Sequence, residues 1–148
     1  MKPETINRPP EPFPANEYAK RIEKLRKLLQ KKGVDGAIIT RDISRLYLTG
    51  FDSSAGTLLI DVNEGAIFVV DFRYILMAEK AMPFAKCVLQ KSGAPSAVEK
   101  YTKKWKSAGF EQEESLATVE RLKNRLSSIT QWITIDGELS SLRSIKSP

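Results

Sequence analysis

Apolar residues recur at helical spacing in one long early stretch and then in short unbroken runs, a contrast that predicts an α/β protein. Ile22, Leu25, Leu28 and Leu29 form one stripe, while Lys20, Arg21, Lys24, Arg26, Lys27, Lys31 and Lys32 fill the positions between. The spacing predicts an amphipathic helix with a wet basic face, capped by Asn16, ended at Gly33 and supported by Glu23 four residues before Lys27. Residues 37–40 follow Gly36 as a buried strand. The runs 58–62 and 66–70 are separated only by Asn63-Glu64-Gly65 and predict an antiparallel hairpin. Asp71 then stands where it caps a helix carrying Phe72, Ile75, Leu76 and Met82, which Pro83 ends.

The second half continues the alternation. Cys87-Val88-Leu89 reads as a strand, and Ser96 to Glu99 as a capping box opening a helix to about Ser107, with Val98, Tyr101 and Trp105 inward. Gly109-Phe110-Glu111 reads as a short strand. Ser115 is placed to cap a helix with Leu116, Val119, Leu122 and Leu126 inward. Residues 132–136 form the last strand, Gly137 turns out of it, and Leu139, Leu142 and Ile145 predict a closing helix. Strands separated by helices need crossovers, so much of the sheet is parallel. The expected fold is α/β: a three-layer α/β/α sandwich with a mixed, largely parallel sheet containing one antiparallel hairpin. Five of the eight prolines fall within the first fourteen residues, so residues 1–15 read as a flexible proline-rich leader and residues 16–148 as the folded domain.

Composition narrows the chemistry. The chain has 148 residues, 41% hydrophobic and 28% charged, which predicts one soluble globular domain. It contains no histidine and one cysteine, Cys87. No Ser-His-Asp or Cys-His arrangement and no zinc site built on histidine or on cysteine alone is possible, and no intrachain disulfide. No apolar run is long enough to span a membrane, and the polar N-terminus lacks a signal-peptide core, so a cytoplasmic location is expected. The net charge of +6 raises nucleic acid or an anionic membrane as partners. The amphipathic pattern explains the first basic cluster, and the inward stripe of Tyr101 and Trp105 the second, so neither partner is expected.

Self-contained catalytic motifs are missing. Gly50 and Gly56 bracket Phe51-Asp52-Ser53-Ser54-Ala55 with no Gly-Lys-Ser/Thr after them, and no Gly-x-Gly-x-x-Gly occurs. Asp52, Asp61 and Asp71 lie near strand ends, where turn or capping roles are expected. Glu111, Glu113 and Glu114 read as a solvated loop, and Cys87 as a buried inert thiol.

Three strings carry a further signal: Tyr47-Leu48-Thr49-Gly50-Phe51, Asp71-Phe72-Arg73-Tyr74, and Leu142-Arg143-Ser144-Ile145-Lys146-Ser147. In this order, with Gly109-Phe110-Glu111 between, the chain resembles the N-terminal domain of the creatinase, prolidase and Xaa-Pro aminopeptidase family. Ser44 stands where members often carry an asparagine. The resemblance implies a non-catalytic domain of a proline-directed metallopeptidase. The catalytic residues and two divalent metal ions, such as manganese or cobalt, would belong to a C-terminal catalytic domain outside this chain, so no catalytic or metal-binding residue is expected here. The chain is accordingly expected to be a piece of a longer protein.

The resemblance also implies a homodimer in which Asp52, Ser53 and Ser54 face the partner subunit's active site and limit access for peptides with proline second. Asp52 would meet the substrate's free α-amino group. Tyr47, Phe51, Asp71, Arg73 and Tyr74 would be structural. The alternatives are a binding module without hydrolase activity, as in the large subunit of the histone chaperone FACT, or the matching domain of a creatine amidinohydrolase.

Overall fold

The computed structural model describes residues 15–144. The elements in chain order are α1 (Ala15–Lys32), β1 (Gly36–Ile39), α2 (Asp42–Thr49), β2 (Thr57–Asp61), β3 (Gly65–Val70), α3 (Ile75–Ala81), β4 (Ala85–Leu89), α4 (Ala97–Tyr101), β5 (Ser107–Phe110), α5 (Leu116–Arg125), β6 (Gln131–Thr134) and α6 (Asp136–Ser144). The strands form one sheet in the order β4-β3-β2-β1-β5-β6. Only β2 runs against the rest: it pairs antiparallel with β3 in the expected hairpin and also with β1, while β1/β5, β3/β4 and β5/β6 are parallel.

Both faces of the sheet are covered, which is why its strands read as continuous apolar runs. Alternate residues divide between two cores. Ile39, Leu58, Ile60, Phe68 and Val70 pack beneath Ile22, Leu25 and Leu29 of α1, with Leu48, Ala78, Met82, Leu139 and Leu142. Ile38, Leu59, Ile67 and Val69 pack on the other side against Ala97, Trp105, Leu126 and Ile129. The period-2 split produces the expected three layers. Trp105 seals one end of the second core, and its Nε1 donates to Asp61 Oδ2 at 2.7 Å. The other oxygen of Asp61 accepts from Asn63 N at 2.8 Å and Glu64 N at 3.0 Å, so this carboxylate closes the hairpin turn as expected.

Chain order places a switch in the sheet. After β1 the chain moves out through β2, β3 and β4 to one edge, then returns to β5 on the other flank of β1. The segments leaving the C-terminal ends of β1 and β5 therefore part company, and in open α/β sheets this is where functional groups gather.

Several elements differ from expectation. Helix α2 escapes the hydrophobic pattern because Ser44, Arg45 and Thr49 share its buried positions with Leu48. Helix α1 already includes Ala15, so Asn16 lies in its first turn rather than before it, and Ala15 is helix rather than leader. Glu23 pairs with Arg26 at 2.8 Å instead of Lys27. Asp71 does not cap α3: its Oδ1 accepts from Arg73 N at 2.9 Å in a turn ahead of the helix, whose N-cap is Tyr74. Phe72 is 79% exposed and Leu76 is exposed too, because the turn rotates both away from the core. Helix α4 stops at Tyr101, and Leu116, first in α5, is exposed. Gly137 lies inside α6 rather than in a turn. The expectations for residues 1–14 and for Ile145 fall outside the described residues.

Candidate functional site at the strand ends

Two residues, Thr40 and Arg41, separate β1 from helix α2, and the way the helix ends sets the course of the next loop. It stops at Gly50, whose φ of 72° suits glycine and whose N–H donates to Leu46 O at 2.8 Å. A Cβ there would come within 2.4 Å of the Tyr18 ring, so Gly50 also sets how closely α1 approaches. Tyr47 is anchored twice: its carbonyl accepts from Arg21 Nη1 at 2.7 Å, and its hydroxyl donates to Leu142 O of α6 at 3.0 Å. Phe51 packs edge-on against Phe68 and Tyr74, with ring centroids 6.0 and 6.3 Å away.

The loop after Gly50 is held from beneath by Arg45. This guanidinium, buried under α2, donates from Nη2 to Ser53 O at 2.9 Å and from Nη1 to Thr40 O. Burial lowers its pKa, and the carboxylates of Asp42, Glu114, Asp52 and Glu111 act in the opposite direction. Ser53 is buried and Ser54 Oγ lies 2.5 Å from Tyr74 Oη, while Asp52 between the two anchors is exposed. Asp71 and Arg73 form an exposed pair at 2.8 Å that lowers the pKa of Asp71 through the hydrogen bond.

Beside the loop lies a polar cluster that the residue pattern alone assigns to solvent. Glu111, just past β5, is only 3% exposed. Its Oε2 accepts from Ser44 Oγ at 2.6 Å and faces Arg41 Nη1 at 3.4 Å. Ser44 in turn accepts from Arg143 Nη2 of α6 at 2.8 Å. Thr40 donates to Glu114, and Glu113 pairs with Arg41 at 3.0 Å while remaining largely exposed. Burial pushes the Glu111 pKa up; the Ser44 hydrogen bond, Arg41 and Arg143 pull it down. Glu111 Oε1, Arg45 Nε and Ser53 Oγ are buried without hydrogen-bond partners among the described residues.

So the expected solvated loop at Glu111 is corrected: α2 and α6 close over the end of β5 and take its first carboxylate out of water. The strings containing Tyr47, Glu111 and Arg143 meet here, although the residues themselves are far apart in the chain. Arg45, Glu111 and Arg143 were missed as a group because each looks like an ordinary surface charge. The one signal for two of them was their place in the Gly-Phe-Glu and Leu-Arg-Ser-Ile-Lys-Ser strings.

Residues 21–145 match the model of the creatinase/prolidase N-terminal domain. The chain belongs to that family. A peptidase of Bacillus subtilis, YqhT, is 42% identical over 59 residues, 40% of this chain and 16% of that protein. The Xaa-Pro dipeptidase of Bacillus anthracis is 28% identical, with a TM-score of 0.74 over 88% of this chain and 37% of its own. The N-terminal domain of the cytoplasmic peptidase PepQ from Mycobacterium tuberculosis is 26% identical, with a TM-score of 0.70 over 84% of this chain and 98% of that one. This creatinase/prolidase domain thus spans well under half the length of the YqhT and dipeptidase chains.

Among the described residues no group of three or more histidine, cysteine, aspartate or glutamate side chains is placed to hold a metal ion. Glu111, the most buried glutamate among the described residues, faces Arg41 and Arg143, and their charges oppose a bound cation. Among the described residues no helix is long and apolar enough to cross a membrane.

Proposed function

We propose that this domain is the non-catalytic N-terminal half of a cytoplasmic, homodimeric Xaa-Pro peptidase, and that its 52–54 loop narrows the approach to the partner subunit's active site. The observation that carries this reading is the setting of Asp52. Its neighbours Phe51 and Ser53 are buried, Arg45 clamps the Ser53 carbonyl, and the carboxylate stays exposed. A carboxylate presented from a fixed loop is suited to a charge-assisted hydrogen bond with the free α-amino group of a short peptide. Exposed Phe72, Leu76 and Met77 follow the same loop's contact at Tyr74 and supply apolar surface for a subunit contact.

In this reading the hydrolytic chemistry, with its two divalent metal ions, resides in the C-terminal catalytic domain. The N-terminal domain contributes shape and one charge. The decisive experiment is Asp52→Ala in the full-length protein. KM for short Xaa-Pro peptides is expected to rise about tenfold, roughly the loss of one charge-assisted hydrogen bond, with kcat retained. Unchanged KM removes Asp52 from substrate contact. The 148-residue chain alone is expected to hydrolyse no Xaa-Pro peptide with added manganese or cobalt; turnover that survives purification overturns the non-catalytic assignment.

A further inference from the structure

On the other side of the sheet, four lysines converge on one concavity. Lys86 of β4, Lys100 of α4, and Lys103 and Lys104 in the turn after α4 line a cavity of about 440 Å³ with Ile67, Tyr101, Asp61 and Glu64. All four lysines are exposed, and none makes an ion pair among the described residues. Lys86 Nζ and Lys100 Nζ both lie near the Tyr101 ring, 4.9 and 5.5 Å from its centroid.

The carboxylates in the wall do not balance this charge. Asp61 directs its oxygens to the Trp105 indole and the hairpin turn, and together with Glu64 it offsets half of the four positive charges. A second cavity of about 480 Å³ shares Lys100 and Lys103 and adds Ser96, Ser127 and Ser128, together with Glu99. Clustered like charges repel one another, and an anion bound among them relieves the repulsion.

We propose that this concavity binds a compact oligophosphate anion. Lysine ammonium groups act as point-charge ligands for phosphate oxygens, and the volume falls in the range of small-molecule sites. The aromatic residues argue against a single-stranded nucleic acid. Trp105 is buried with its indole nitrogen donated, and the Tyr101 ring already carries two ammonium groups. The Trp105 ring is therefore not available to stack a base, and the site reads charge.

Calorimetric titration of the 148-residue chain with sodium tripolyphosphate at low salt tests this. One saturable site is expected. Its Kd should rise about tenfold or more in the Lys100→Gln/Lys103→Gln double variant, rise in Lys86→Gln, and hold in Lys20→Gln/Lys24→Gln, which removes the same charge from α1. Circular dichroism checks that each variant is folded. Adenosine triphosphate is expected to bind no tighter than tripolyphosphate; markedly tighter binding would show that the base is read and would overturn recognition of the phosphate chain alone. Equal weakening in the α1 variant, no saturation, or binding of oligothymidylate by a chain that ignores tripolyphosphate overturns the proposal.

Discussion

The Ser44 hydroxyl donates to Glu111 at 2.6 Å while accepting from Arg143 at 2.8 Å, so one side chain joins α2, the end of β5 and α6. Ser44→Ala removes both bonds and leaves a buried carboxylate short of its closest donor. The expected loss is about 1–3 kcal/mol, read as a lower urea midpoint. Ser44→Asn, which can both donate and accept, is expected to retain most of the stability. A midpoint unchanged in Ser44→Ala would show that the hydroxyl contributes nothing.

Glu111 also predicts a pH dependence. Its pKa is raised in the folded protein, chiefly by burial. The folded state therefore holds this proton more tightly than the unfolded state. The associated stability is full below the unfolded carboxyl value and is lost as pH rises through the folded one. Glu111→Gln removes that loss, so the variant should gain stability relative to the parent as pH rises from about 4.5 towards 7. The exposed carboxylates of Glu23 and Asp71, shifted the other way by their arginine partners, are common to both proteins and cancel in the comparison. A stability difference that stays flat across this window would contradict the burial argument.

Two glycines should respond oppositely to alanine. At Gly36 a Cβ would fall 2.3 Å from the Trp105 ring and 2.6 Å from Ile60 O, backbone that cannot move without disturbing β2. Gly36→Ala is expected to cost about 1–3 kcal/mol and to shift the tryptophan emission. Gly137 sits in α6, and a Cβ added there would meet nothing within 4 Å, so Gly137→Ala should stabilise by up to about 1 kcal/mol. Thermal melts of the pair check both signs.

Cys87 is half-buried in β4, and its thiol pKa is pushed up by burial and by Glu79. The thiolate is the reactive form, so modification by a disulfide reagent at neutral pH should be slower than for an unfolded peptide of the same sequence. Denaturant should remove the difference. Equal rates in native protein would mean that β4 opens readily at the sheet edge.

Much of the fold was legible because burial follows simple periods. The α1 stripe, the hairpin around Asn63-Glu64-Gly65 and the caps Ser96 and Ser115 each depend on neighbours a few residues away. Helix α2 was not legible, since three of its buried residues are polar and become favourable only through partners elsewhere in the chain. Asp71 shows the same limit from the other side. A capping residue in the right place formed an exposed turn with Arg73 instead, and Phe72 and Leu76 went with it to the surface.

Composition and the spacing of neighbours were enough for the α/β class, the covered sheet, and the lack of any histidine or intrachain disulfide within these 148 residues. Which charges leave water was decided only by tertiary structure. Glu111 and Glu113 look alike in the chain, yet α2 and α6 close over Glu111 and leave Glu113 largely exposed. The gathering of Lys86 with Lys100, Lys103 and Lys104 likewise required β4 to lie beside α4. Desolvation and charge clustering act through space, between groups that the chain keeps far apart.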